Sequence, residues 1–265
     1  MTTNNEQQVG RCLCVAVDAE GYGRSGDRQQ FTAQKALTDK VLATAAEAAG
    51  LERNTWIRQP AGDGELALLP SNEPEPRVVD DLVREIDLAL RRYNHDLVRD
   101  AQLRLRVAIH HGVAYPASNG FAGQAVVVVS RLLSCRPLRS ALAAAADAHL
   151  ALIVSRRIFE EIIAQEHTSQ RPGHFRKIAV QEKEFRDDAW IWLPGADVHH
   201  LDIENDGTTA AHTSPVSPAA VAGNGAATVQ TGADATANVV HNRFDDKVDI
   251  RRGVIGISYG RRERS

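Results

Sequence analysis

Two periodicities of apolar residues divide most of this chain into strands and helices. The run from Arg11 to Asp18 is almost continuously apolar and lies between Gly10 and Gly21, which is typical of a buried strand. Helical spacing follows from residue 27 to a stop at Gly50, and again over 74–93, where apolar positions share one face. The chain therefore opens with a strand and alternates the two element types.

The remaining pattern adds a hairpin and further strands. Short strand-like runs at 54–59 and 65–69 are joined through Gly62-Asp63-Gly64, an Asp-Gly turn signal. The other predicted elements are an alternating strand at 103–110, a Gly-punctuated and then Ala-rich stretch at 121–148, a strand at 150–154, a helix after Ser155, and strands at 175–180 and 189–193. This order, β-α-β-β-α-β-α-β-α-β-β, predicts an α+β fold with helices on one face of a mixed sheet.

Composition changes sharply after residue 195. Residues 196–237 are mostly small and polar without periodicity, and such a segment buries too little apolar area to offset its ordering entropy. We therefore expect a domain at 10–195 and a flexible linker at 196–237. Residues 238–260 regain β-prone residues and predict a short motif that pairs with another chain.

Overall composition excludes several classes of protein. The 265 residues are 43% hydrophobic and 25% charged with a net charge of −3, which is ordinary for a globular protein and gives no electrostatic case for nucleic-acid binding. The polar N-terminus lacks a signal peptide, and no apolar run is long enough for a membrane span. Three cysteines without metal-ligand spacing fit reduced thiols. These features predict a cytoplasmic protein with no membrane partner.

The candidate chemistry lies where the first strand and the hairpin end. If these strands are neighbours, Asp18 and Asp63 can share a divalent cation, Mg²⁺ or Mn²⁺, which favours one or two carboxylates together with substrate phosphates. Backbone N–H groups of the turn after Asp18 would bind those phosphates. This turn consists of Glu20, Gly21, Tyr22 and Gly23. The alternative is that both aspartates are ordinary turn residues.

Four segments together resemble the class III nucleotidyl cyclase homology domain, over roughly residues 10–194. They are the strand ending in Asp18 with Gly21-Tyr22, the Gly62-Asp63-Gly64 hairpin, Arg106-Val107-Ala108-Ile109-His110-His111-Gly112, and Gly123-Gln124-Ala125-Val126 with Ser130-Arg131-Leu132. The resemblance implies a ferredoxin-like core with a mainly antiparallel sheet, working as a homodimer with active sites between protomers.

The same resemblance assigns roles to individual residues. It implies that Asp18 and Asp63 hold the metal ions, and that a nucleoside triphosphate is cyclised with release of pyrophosphate. It places Arg131 where the family has an arginine that stabilises charge on phosphorus. The two base-reading positions of the family fall on or near Gln59 and Gly120.

The chain departs from the family where ribose and base are held. The ribose-orienting asparagine position falls on Val127, which has no hydrogen-bonding side chain, and a lysine position falls near Gln59. Two readings stay open: a cyclase with altered contacts, like the bacterial pyrimidine cyclases of antiphage defence, or a degenerate domain that binds nucleotide without cyclising it. Gln59 has the donor and acceptor needed to read a pyrimidine edge. The segment at 242–256 resembles amyloid-type signalling motifs, which implies self-association or a partner protein.

Overall fold

In the computed structural model, the residues described are 10–21, 26–117 and 120–204. Tyr22, Gly23 and everything after Glu204 lie outside them, so the predicted motif at 238–260 and most of the predicted linker do too. No helix among the described residues is long and apolar enough to cross a membrane.

One mixed sheet forms the centre of the domain. Its strands are β1 (Gly10–Ala19), β2 (Ile57–Ala61), β3 (Gly64–Leu68), β4 (Leu105–Ala117), β5 (Gly120–Ala122), β6 (Leu150–Ser155), β7 (Arg176–Glu182) and β8 (Phe185–Trp192). The order across the sheet is β2-β3-β1-β4-β6-β8-β7, with β5 paired to β4. The β4–β6 pair is parallel and the other pairs are antiparallel. The prediction of a mainly antiparallel α+β sheet is confirmed.

The helices follow the predicted order. They are α1 (Asp27–Lys35), which continues through a π-helical segment (Ala36–Leu42) into α2 (Ala43–Ala48), then α3 (Glu75–Val79), α4 (Asp81–Asn94), α5 (Gln124–Ser134), α6 (Arg136–Ala144), and α7 (Arg156–Ile158), which continues into a second π-helical segment (Phe159–Ile163). Short 3-10 turns occur at Arg53–Thr55, Arg99–Ala101 and Pro172–His174. Pro137 lies in the first turn of α6, where its missing N–H does no harm, and it explains why the Ala-rich stretch is two helices.

Helices cover both faces of the sheet, and the prediction of helices on one face is wrong. Odd-numbered residues of β1, such as Val15 and Val17, pack with α2 and α4, whereas Cys14 and Ala16 pack with α5 and α6. The central strands are buried on both sides and read as continuous apolar runs, so their sequence carries no sign of which face is covered.

The packed domain continues past the predicted boundary at residue 195. Val198 is 0% exposed and Ile203 is 5% exposed, and both belong to the core on the α5–α6 face. The Glu204 N–H donates a hydrogen bond to the Ser140 hydroxyl of α6 at 3.0 Å. Residues 196–204 therefore form a packed strap rather than the start of a linker. The few apolar residues of this strap are buried because they pack against the apolar surface of the α5–α6 face.

Candidate functional site

Strand register brings the ends of β1, β3 and β4 together. Asp18 lies opposite Gly64 of β3 on one side and opposite Arg106 of β4 on the other. Since paired residues of neighbouring strands point to the same face, Asp18 and Arg106 both project toward the α5–α6 face, as Ala16 and Ala108 do.

Asp18 and Arg106 form a bidentate ion pair. The Arg106 Nε donates to Asp18 Oδ1 at 2.8 Å and Nη2 donates to Oδ2 at 2.7 Å. The two side chains are only 19% and 15% exposed. Burial raises the pKa of Asp18 to about 6, and Arg106 opposes that rise. The carboxylate is thus ionised at neutral pH and held in a fixed orientation.

Asp63 stands directly beside this pair. Its backbone carbonyl accepts a hydrogen bond from the Ala19 N–H at 2.8 Å, and its negative charge contributes to the raised pKa of Asp18. Gly64 makes this approach possible, because a Cβ there would lie 1.9 Å from the Val17 carbonyl oxygen. The structure therefore brings Asp18 and Asp63 together at one corner of the sheet.

The turn after β1 is hydrogen-bonded to Arg104, the residue directly before β4. The Glu20 N–H donates to the Arg104 carbonyl at 2.9 Å, and the Glu20 carboxylate accepts from Arg104 Nη1 at 2.6 Å. Gly21 has a φ of +76°, a conformation that glycine adopts without strain. The amide of Glu20 is thus bonded within the sheet, and phosphate binding by this turn would fall to Gly21 and the residues after it.

The donor set suits a hard cation that also takes ligands from a substrate. Two adjacent carboxylates match Mg²⁺ or Mn²⁺ bound through phosphates, and a carboxylate has about four acceptor positions, of which Arg106 occupies two on Asp18. Among the described residues no group of three or more His, Cys, Asp or Glu side chains converges on one point. A cation here would complete its coordination with water or with phosphate oxygens of a substrate.

Gln59 and Gly120 are in contact. A Cβ at Gly120 would lie 2.6 Å from Gln59 Oε1 and 2.7 Å from Nε2, and Gly120 has a φ of +97°. Gln59 pairs with Leu66 on β3, two residues along from Gly64, so its exposed side chain projects from the same face as Asp18. The structure thus joins the two positions that the resemblance assigned to base reading.

Arg131 does not reach the carboxylates of its own chain. Its Nη2 donates to Glu184 at 2.9 Å, and Glu184 lies in the turn between β7 and β8. Strand β8 is three strand intervals from β1, roughly 14 Å across the sheet at the usual spacing. Val127 lies half-buried on the same helix, α5.

Sequence reasoning missed three arginines near the site. Arg104 and Arg106 lie in the predicted alternating strand at 103–110 and received no role there; the signal that could have found them is their position opposite Glu20 and Asp18. Arg139 of α6 lies close enough to lower the pKa of Asp18, although burial outweighs it. Its position depends on tertiary packing that no local pattern shows.

Known structures share this fold. An adenylate/guanylate cyclase/hydrolase from Silicibacter pomeroyi is 21% identical, with a TM-score of 0.51 over 71% of this chain and 99% of its own. The guanylyl cyclase Cya2 is 17% identical, with a TM-score of 0.50 over 75% of this chain and 99% of its own. No protein-family model and no curated protein matches the sequence. The chain has the fold of a nucleotidyl cyclase domain, as its motifs predicted.

Proposed function

We propose that this domain is a divergent class III nucleotidyl cyclase that converts a nucleoside triphosphate into a 3′,5′-cyclic nucleotide and pyrophosphate. The observation that supports this most is the meeting of Asp18 and Asp63 beside Arg106 at one corner of a cyclase-like sheet. An ordinary turn aspartate has no reason to be buried against a guanidinium and next to a second carboxylate.

Each residue of this corner has a defined task in that reaction. Asp18 and Asp63 would hold Mg²⁺ or Mn²⁺, which when bound supplies positive charge at the triphosphate and lowers the pKa of the attacking ribose 3′-hydroxyl. Asp18 is held in position by Arg106, so it needs no reorganisation when the substrate arrives. Gly21, with the rest of its turn, would bind the outer phosphates through backbone N–H groups. The chain then favours in-line attack on the α-phosphorus and departure of pyrophosphate.

The position of Arg131 supports a homodimer. Within one chain it is bonded to Glu184, three strand intervals from Asp18, so it would stabilise developing charge only in the site of a second copy. The edge of the sheet also exposes Ile57, which is 49% exposed and lies on strand β2 beside Gln59. An exposed aliphatic residue next to the base-reading pair is the kind of surface that a dimer would cover.

We further propose that the Gln59–Gly120 contact reads a nucleobase, with a pyrimidine as the matching substrate. Gln59 offers one acceptor and two N–H donors at an exposed edge, and Gly120 leaves room for its amide. A role in antiphage signalling would follow from a pyrimidine cyclic nucleotide as product.

The test is a turnover assay with Mn²⁺ and each of ATP, GTP, CTP and UTP. We expect a cyclic product from a pyrimidine nucleotide, and loss of at least about a hundredfold in rate for Asp18→Asn and Asp63→Asn, since each removes a charge at the reacting phosphates. Asp96→Asn is the matched control, because its side chain is 97% exposed and is paired with His95, outside the proposed site. No cyclic product from any nucleotide would refute the enzyme.

Val127 favours one alternative function. A valine at the ribose-orienting position cannot hold the 3′-hydroxyl, and misplacing a reacting group by a small distance lowers rates by orders of magnitude. The alternative is a degenerate domain that binds nucleotide and signals through its C-terminal segment, by self-association or a partner protein. Metal-dependent nucleotide binding without turnover in the same assay, and self-association lost on removing residues 238–265, would establish that function.

A further inference from the structure

The arginines around Asp18 differ in how they are engaged. Arg106 gives two hydrogen bonds to Asp18, and Arg104 is bonded to Glu20 and to backbone carbonyls. Arg131 is paired with Glu184. Arg139 is exposed, and its guanidinium has no ion pair or hydrogen bond with any of the residues that the structure describes. Of these four cations, it is the one still able to take an anionic ligand.

Helix α6 places Arg139 near the carboxylates. Arg104 is the residue directly before β4, two residues before Arg106, and its Nη2 donates to the carbonyls of Leu142 and Ala145, the latter at 2.9 Å. Arg139 is one turn before Leu142, which puts their backbones about 5 Å apart. Arg104 also binds Glu20, so the end of α6 is fastened beside the corner where Asp18 stands.

The helix that carries Arg139 is fixed at its C-terminal end and at its middle. Its C-terminal carbonyls are bonded to Arg104, and Ser140 accepts a hydrogen bond from the Glu204 N–H of the strap at 3.0 Å. Leu138 and Leu142 are 0% exposed. A charged group on such a helix keeps its position without ordering a loop, which is what a phosphate-binding cation requires.

We infer that Arg139 is a further substrate-binding residue, whose guanidinium contacts the phosphates of a nucleotide held at Asp18 and Asp63. This inference rests on the proposed function. A planar guanidinium suits phosphate oxygens because it gives two parallel hydrogen bonds. Arg139 also offsets charge at the site. Because Arg106 is paired with Asp18, Arg139 on α6 is left to neutralise part of the negative charge of a polyphosphate that binds together with a cation.

The experiment measures binding of inorganic tripolyphosphate to the full chain by calorimetry, with Mn²⁺ present. This probe has no base or ribose, so it reports only on phosphate binding. We expect Arg139→Ala to weaken binding by about tenfold or more, the usual effect of losing hydrogen bonds from a charged group, and Arg139→Lys to recover part of it. The control is Arg136→Ala, which removes the same charge from the same helix at a side chain paired with Glu204, and should change affinity less than about twofold.

The outcomes separate this inference from the proposed function. Unchanged affinity in Arg139→Ala, together with loss of binding in Asp18→Asn, overturns the inference and leaves the function in place. Equal weakening by Arg139→Ala and Arg136→Ala shows a general charge effect and also overturns the inference. No metal-dependent binding by the unaltered chain overturns both. Thermal unfolding of each variant checks that the exposed substitutions leave the fold intact.

Discussion

Removing the charges of Asp18 and Arg106, singly and together, should reveal a favourable coupling of about 2 kcal/mol in the free energy of unfolding. The perturbation is the double-mutant cycle of Asp18→Asn and Arg106→Gln. Two charge-assisted hydrogen bonds at 2.8 and 2.7 Å join these side chains. Such bonds contribute about 1.5–3 kcal/mol each when buried, and the residual exposure of 19% and 15% lets water recover part of that.

Urea denaturation at pH 7.5, where Asp18 is ionised, measures the four free energies. The matched control is the Arg157–Glu161 pair, joined at 3.0 Å with side chains 36% and 55% exposed, for which we expect about 0.3–0.5 kcal/mol. A coupling for Asp18 and Arg106 no larger than that of the control pair would refute the reasoning that this corner is a preorganised buried pair. In the same variants, Arg106→Gln should tighten Mn²⁺ binding without nucleotide, because the competing guanidinium is gone.

Two glycine substitutions test the packing around the site, and one histidine substitution tests how stability depends on pH. Gly64→Ala should lower stability by about 3 kcal/mol or more, since its Cβ would meet the Val17 carbonyl, whereas Gly173→Ala, with nothing within 4 Å, should change it by less than about 1 kcal/mol in thermal unfolding. Gly120→Ala should cost about 1–3 kcal/mol, because φ is +97° and the Cβ would meet Gln59, and adding Gln59→Ala should recover part of the loss. Burial lowers the pKa of His110 from 6.5 to about 4. As the pH falls from 6.5 to 4, this histidine is protonated in the unfolded chain before it is protonated in the folded one, so stability falls over this range. His110→Gln should remove about 2 kcal/mol of that acid-dependent loss in urea melts between pH 7 and pH 4, and an unchanged pH slope would contradict it.

The order of elements was predictable because each carries a local signal. The run ending at Asp18 has the continuous apolar character of a central strand, and Gly62-Asp63-Gly64 has turn chemistry that fits few alternatives. The faces of the sheet were not predictable, because a strand buried on both sides has no period to read. The packing of residues 196–204 was not predictable for a related reason: Val198 and Ile203 are isolated apolar residues whose burial depends on a distant helix.

The candidate site likewise contains residues that the sequence indicates and residues whose role depends on the tertiary structure. Asp18 and Asp63 could be named as candidates because a carboxylate next to a glycine turn is visible in a sequence, and the motif order supported that choice. Arg106 was visible too, but its task appears only once β4 is known to lie beside β1 with position 106 opposite position 18. Arg139 is a step further away, because it approaches Asp18 through helix packing against the sheet rather than through strand pairing.

These contacts explain how a small chain with a net charge near zero could handle a highly charged substrate. Asp18 is neutralised by Arg106 and Glu20 by Arg104 before any ligand arrives, so no isolated charge is left buried at this corner. A lone divalent cation would meet the positive charge of Arg106 at Asp18, and a lone triphosphate would meet two carboxylates. A metal–triphosphate complex would lower both penalties, because its cation would face the carboxylates while its phosphates would face Arg139 on α6. Under the proposed function, the pairing of Asp18 and Glu20 with arginines therefore favours metal and nucleotide arriving as one complex.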